Sequence, residues 1–221
     1  MKKWNLVDQS LTPDGQTISL WEHDGSYAIR VGAEELMSTR QFASEERVAE
    51  LACAGLKTKR RVRVLVGGLG FGFTLRAALA SLGADADVVI AELMPAVIEW
   101  NRNPELPLAA ASLADRRVRV VERDVAEVIR AVRGEFDSII LDVDNGPVAL
   151  TSSGNQVLYE EEGLRLIRAA LRPGGCAAFW SAAPNARFEK ALGRCGFTVE
   201  LQKCRAHKDS GRWHTIFLAR R

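Results

Sequence analysis

Histidine, tyrosine and cysteine are scarce in this 221-residue chain, at three, two and four residues. His23, His207 and His214 have no metal-ligand spacing among themselves, and no H-E-x-x-H run occurs, so zinc chemistry is not expected. Cys53, Cys176, Cys195 and Cys204 form no CxxC pair and each sits in an apolar pattern. They are expected to be reduced core thiols of a cytoplasmic protein, not disulfides or zinc ligands. No run of 18 apolar residues is present, so no membrane span is expected, and the opening MKKWNLVDQS does not read as a signal peptide. The absence of G-x-x-x-x-G-K-[ST] argues against a nucleoside triphosphate, and the absence of G-x-S-x-G against a serine hydrolase. Excess charge is lacking too: the formal net charge of +2 gives no global case for nucleic acid. The basic run Lys57–Arg63 is read as a solvated linker ahead of a strand.

What is present is an alternation of apolar runs and helical patterns on a length that suits one α/β domain, alone or with a small appendage. Residues 1–42 are expected to form a β-hairpin appendage, with strands at Thr17–Trp21, Ser26–Val31 and Glu35–Met37 between Pro-Asp-Gly and Asp-Gly turns. Ser44, with Glu45 and Glu46 behind it, is expected to start a helix. From Arg61 onward the pattern predicts strands at Val62–Val66, Asp87–Ala91, Val118–Val121, Phe136–Leu141 and Cys176–Trp180. Helices are predicted at Thr74–Leu82, Pro95–Asn101, Val125–Val132, Gln156–Leu171 and Phe188–Leu192, with a loop or broken helix at Asn103–Ala114. Near-continuous apolar strands require a parallel sheet covered on both faces. The last two strands, Phe197–Cys204 and Trp213–Ala219, lack a helix between them and must form an antiparallel hairpin at one edge. Seven strands result.

The chemistry is concentrated at the strand ends, where an α/β sheet binds its ligand. Val62–Gly72 reads VRVLVGGLGFG, a strand turning into a helix through Gly67, Gly68, Gly70 and Gly72. Such a turn lets a ligand lie against bare backbone, and the helix start offers unpaired N–H groups. Glu92 ends the next strand, at the distance from the loop where a carboxylate takes two ribose hydroxyls. Asp124 follows the third strand, Asp142, Asp144 and Asn145 the fourth, and Ser181 the fifth. Asp124 alone reads equally well as a helix cap. Position 73 is Phe where G-x-G-x-x-G needs glycine, and no basic residue lies in the loop to meet a pyrophosphate. A ligand without phosphate is favoured, an adenosine with a sulfonium arm. The loop TSSGN (151–155) is a candidate lid hinged at Gly154, and Tyr159 either closes a wall or packs on the sheet.

The segments VLVGGLGFGFTLRAAL (64–79), AELMPAVIEWNR (91–102), RVVERDVAEVI (119–129), FDSIILDVDNGP (136–147) and LRPGG (171–175) resemble class I S-adenosylmethionine-dependent methyltransferases, and within them the spermidine synthase group. The resemblance runs from about Arg61 to the end, and the N-terminal appendage looks like that group's β-hairpin domain. It implies a Rossmann-like fold with a seven-stranded, mostly parallel sheet. It implies cofactor contacts from Gly67, Gly68, Leu69, Gly70, Gly72, Glu92, Leu93, Asp124, Val125 and Asp142. Glu92 would hold the ribose, Asp124 with Val125 the adenine, and Asp142, with Asp144, would serve catalysis by taking a proton from an attacking amine. No metal is implied.

The sequence also departs from that group. The loop is GGLGFG where the group has an acid-bearing GGGDGG-like loop. The segment after the fourth strand, Asp142–Pro147, lacks proline after its second acid. Glu35–Ser38 and Ser44–Glu46 stand where glutamine and tyrosine are usual. Methyl transfer from S-adenosylmethionine to a small-molecule acceptor, an amine among the candidates, is therefore the first expectation. The alternatives are aminopropyl transfer from decarboxylated S-adenosylmethionine to a polyamine, and a non-catalytic nucleoside-binding module. No membrane or nucleic-acid partner is expected, and a homodimer would pair N-terminal hairpins edge to edge.

Overall fold

Turn chemistry shapes the N-terminal sheet. A computed structural model describes residues 3–142, 157–207 and 210–221. Strands β1 (Asn5–Leu11), β2 (Thr17–His23), β3 (Ser26–Val31) and β4 (Glu34–Ser38) form an antiparallel sheet in sequence order. Asp24 and Gly25 both take positive φ, 55° and 75°, the two-residue geometry whose twist suits a tight hairpin. Strand β1 is an addition to the three expected. It pairs only with β2 and is exposed along nearly its whole length, so burial imposes no alternation on its sequence.

Helix α1 (Ala43–Ala52) starts one residue earlier than Ser44, with Phe42 at the cap position. The Ser44 side chain does not cap the helix. It is buried, and its Oγ lies 3.0 Å from His214 Nδ1. A serine in the first turn reads as a cap in sequence, but a partner 170 residues away claimed its hydroxyl.

The second sheet is built from β5 (Arg63–Gly67), α2 (Phe73–Ser81), β6 (Asp87–Glu92), α3 (Pro95–Arg102), α4 (Ala110–Leu113), β7 (Val118–Glu122), α5 (Val125–Arg130), β8 (Phe136–Leu141), α6 (Glu161–Ala170), β9 (Leu171–Ser181), α7 (Ala186–Arg194), β10 (Thr198–Arg205) and β11 (Trp213–Arg220). Its order is β10-β11-β9-β8-β5-β6-β7. Strands β5 to β9 run parallel, and β11 lies antiparallel between β9 and β10. The hairpin therefore doubles back, and its second strand joins the sheet.

The pleat divides the core in two. Val64, Val66, Val88, Ile90 and Ile140 point to one face, under α1, α2 and α3, where Ile18, Leu20 and Ile29 of the N-terminal sheet join them. Leu65, Val89, Ile139 and Leu141 point to the other, under α5, α6 and α7. Both faces are apolar because both are covered.

Pro173-Gly174-Gly175 was expected to precede the fifth strand; the structure includes it in β9. Phe136 pairs with Leu171 and Ser138 with Cys176, so residues 172–175 bulge opposite Asp137 alone. The bulge accommodates proline and the positive φ of Gly174 without breaking the strand. Of the predicted helix Gln156–Leu171, α6 covers Glu161–Ala170, and Gln156 lies outside the described residues. Among the described residues no helix is long and apolar enough to cross a membrane.

Candidate active site

Strand order reverses between β5 and β8, and the crevice beyond their carboxyl ends is the ligand position that this topology creates. A cavity of about 240 Å³ opens there. Gly68 and Gly70 after β5, Glu92 and Leu93 after β6, Asp124 and Val125 after β7, and Asp142 after β8 all line it. The opposing wall comes from the N-terminal sheet, through Ile18, Ile29, Leu36 and Met37, and from Glu45 on α1. The appendage is thus half of the site's enclosure. Trp100 Nε1–H donates to Asp8 Oδ2 at 2.7 Å and ties β1 to α3.

Glu92 is the most firmly placed group. It is 8% exposed. Leu69 N–H donates to its Oε2 and Met94 N–H to its Oε1, each at 2.8 Å. Both oxygens are oriented by backbone, and each retains acceptor capacity for a hydroxyl. The glycine loop is shaped to permit this. Gly68 and Gly70 have φ of 86° and 52°, a region costly for residues with a Cβ. A Cβ on Gly70 would approach Met37 Cε to 2.6 Å, so the loop needs glycine both for its turn and for the packing of β4. Among the described residues, the N–H groups of Gly70 and Phe71 donate to no intramolecular acceptor.

Three loop residues named from sequence support the cavity from behind. Gly67 ends β5 where a Cβ would lie 2.9 Å from both Leu141 and Val125 side chains. Gly72 caps α2 with φ 75°, and a Cβ there would overlap Ala109. Leu69 buries its side chain while its N–H holds Glu92.

Sequence reading missed Asn101. It is fully buried on α3, and its Nδ2 donates to the Gly70 carbonyl at 2.7 Å and to the Val97 carbonyl at 2.8 Å. It clamps the loop from below. The available signal was a polar residue four places after Val97, on the apolar stripe of the helix.

Asp124 caps α5, its Oδ1 accepting from Ala126 N–H at 2.7 Å, and it also lines the cavity beside Val125. The two readings of this residue coexist. Asp142 accepts a hydrogen bond from Thr74 Oγ1 at 2.8 Å. Burial pushes its carboxyl up to about 6, and the Thr74 bond offsets part of the effect. Burial also holds Glu45 well above the ordinary carboxylate range, with the Asp142 charge adding to it. Trp180 lines the same end, with its buried indole N–H unpartnered among the described residues.

Asp144, Asn145 and the 151–155 loop lie outside the described residues. Tyr159 is core, packed against Phe179 and Phe188 with ring centroids at 6.1 and 5.6 Å. Lys57, Lys59, Arg60 and Arg61 are exposed and precede β5, at the end of the sheet opposite the cavity. Among the described residues no three His, Cys, Asp or Glu side chains are grouped to hold a metal ion.

Residues 41–191 match the family described as spermine/spermidine synthase domain. Over 123 residues the chain is 32% identical to polyamine aminopropyltransferase 1 of Streptomyces coelicolor, covering 55% of this chain and 22% of that protein. Over 165 residues it is 27% identical to putrescine N-methyltransferase 2 of Nicotiana attenuata, covering 73% and 42%. The matched part is thus less than half the length of these relatives. The crystal structure of spermidine synthase from Thermotoga maritima superposes with a TM-score of 0.76 at 20% identity, over 97% of this chain and 72% of that one. A spermidine synthase bound to the transition-state analogue AdoDATO gives 0.75 at the same identity and coverage. These two likenesses establish the fold.

Proposed function

Because this chain belongs to the spermine/spermidine synthase domain family, we propose that it is a transferase that binds S-adenosylmethionine and passes its methyl group to a small amine. The observation that carries this reading is Glu92, held by two backbone N–H groups at the rim of a cavity floored by positive-φ glycines. A fixed carboxylate beside bare backbone suits a ribose diol.

The residues present fit such a donor. Glu92 would accept both ribose hydroxyls, and Asp124 and Val125 would border the adenine. The spare N–H groups of Gly70 and Phe71 would serve the donor's carboxylate. This last point favours S-adenosylmethionine over its decarboxylated form, as does the lack of an acid in the loop. When bound, the donor supplies a carbon already activated by a positive sulfur.

Asp142 would take the proton of the attacking amine as the nitrogen–carbon bond forms and the carbon–sulfur bond breaks. A carboxyl raised to about 6 is a better proton acceptor near neutrality than one at its ordinary value. Holding amine and carbon in line would supply much of the rate.

Aminopropyl transfer is the second reading. It is favoured by Glu45, a further carboxylate in the cavity suited to a cationic propylamine arm. Isothermal calorimetry against S-adenosylmethionine and decarboxylated S-adenosylmethionine separates the two. We expect S-adenosylmethionine to bind more tightly; clearly tighter binding of the decarboxylated compound reverses the order, and binding of neither rejects the donor site.

A further inference from the structure

Two carboxyls from distant parts of the chain meet at one end of the cavity. Glu45 arrives on α1, from the helix that follows the N-terminal sheet, and Asp142 from the end of β8. Thr74 Oγ1 lies between the two segments, 2.8 Å from Asp142 Oδ2 and 3.4 Å from the Glu45 carbonyl oxygen. Asp142 has that one hydroxyl as donor. Among the described residues the Glu45 carboxylate has no hydrogen-bond donor and no cationic partner. A largely buried, unpartnered carboxylate beside a second one is costly unless a proton or a cation joins them.

The other charged groups nearby leave that role open. Glu46 is engaged by Arg76 of α2 at 2.6 Å, and Arg47 pairs with Glu50 on the outer side of α1. From β11, His214 is bonded to Ser44, and burial lowers its pKa, so it is neutral there. From β10, the Cys204 thiol is pushed up to about 11 by burial and stays protonated.

We propose that Glu45 and Asp142 together form the acceptor-selecting end of the cavity, holding one proton between them that a cationic amine displaces on entry. The ammonium N–H groups then donate to both carboxylates, and the displaced proton passes to solvent. Glu45 is a specificity-determining residue, with Asp142 retaining its role as base for the reacting nitrogen. Neutral acceptors, such as alcohols, cannot replace the proton with a charge and are rejected. The inference rests on the transferase reading of the same site and names its acceptor class.

The test is calorimetric. 1,4-Diaminobutane is titrated into the full chain saturated with S-adenosylhomocysteine, at pH 6.5, in buffers of differing ionisation enthalpy. The wild type is expected to release a substantial fraction of one proton per diamine bound, and 1,4-butanediol to give no binding. Glu45→Gln is expected to cut the release at least by half and to weaken diamine binding about tenfold, the loss of one charge-assisted hydrogen bond. Glu45→Asp, which keeps the charge one methylene shorter, is expected to retain proton release and serves if the glutamine variant does not fold by circular dichroism. Diamine binding without proton release, equal release from wild type and Glu45→Gln, or equal binding of the diol overturns the proposal. Binding of S-adenosylhomocysteine without binding of the diamine overturns it while leaving the donor site standing. Failure to bind S-adenosylhomocysteine removes the reading beneath it.

Discussion

Glu92 shows how one residue combines structural and functional demands. Its oxygens satisfy the Leu69 and Met94 N–H groups, which otherwise lie unpaired at a tight turn and a helix entrance. Glu92→Gln turns one oxygen into an NH₂ that faces a backbone donor. Nucleoside affinity is expected to fall about 10- to 100-fold, the worth of a hydrogen bond to a charged group. Equilibrium dialysis with S-adenosylhomocysteine measures it, and unchanged affinity removes Glu92 from the site. The residue was legible in sequence because strand-end position and spacing from the glycine loop suffice to mark it. Asn101 was not, because its role depends on the Gly70 carbonyl, 31 residues away, turning toward α3.

Secondary elements were recovered where burial imposes a period. Ser26–Val31 and Phe136–Leu141 were read with their observed boundaries, since turn signals or apolar continuity mark both ends. Strand β1 escaped because it is an exposed edge, and the Pro-Gly-Gly of β9 was placed outside its strand because a bulge against Asp137 is a property of the pair. The attachment of β1 is testable. Trp100→Phe preserves the ring and removes the N–H that reaches Asp8. Asp8 is exposed, so the cost is expected to stay near 1 kcal/mol or below. Hydrogen exchange is expected to quicken along Asn5–Leu11 while β5 and β8 keep their protection. Uniform quickening across both sheets contradicts a local tether.

For the molecule as a whole, the cavity's carboxyls set a pH dependence. Asp142 has its folded pKa raised from 3.8 to about 6, and Glu45 is raised further above its own ordinary value. A raised acid stabilises the fold fully below its unfolded pKa, and that contribution is lost as pH climbs through the folded one. Asp142→Asn removes this loss. The variant's melting temperature relative to wild type is therefore expected to rise between pH 4.5 and pH 8, while its transfer rate falls about 10²- to 10⁴-fold, the usual contribution of a general base. A gap in melting temperature that stays constant with pH shows that Asp142 is not buried at this cost. A transfer rate that survives the change shows that another group accepts the proton.

The sequence by itself determined the alternation of strands and helices, the parallel sheet with its terminal hairpin, and the glycine and acid positions at the strand ends. Those features follow from local conformational limits and from the periodicity of burial, which neighbouring residues express together. Only the tertiary structure decided that the N-terminal sheet walls the cavity, that Ser44 serves His214, that Asn101 clamps the loop, and that Glu45 faces Asp142. Each of these joins segments far apart in the chain, and a side chain's partner across such a distance is set by how the layers pack.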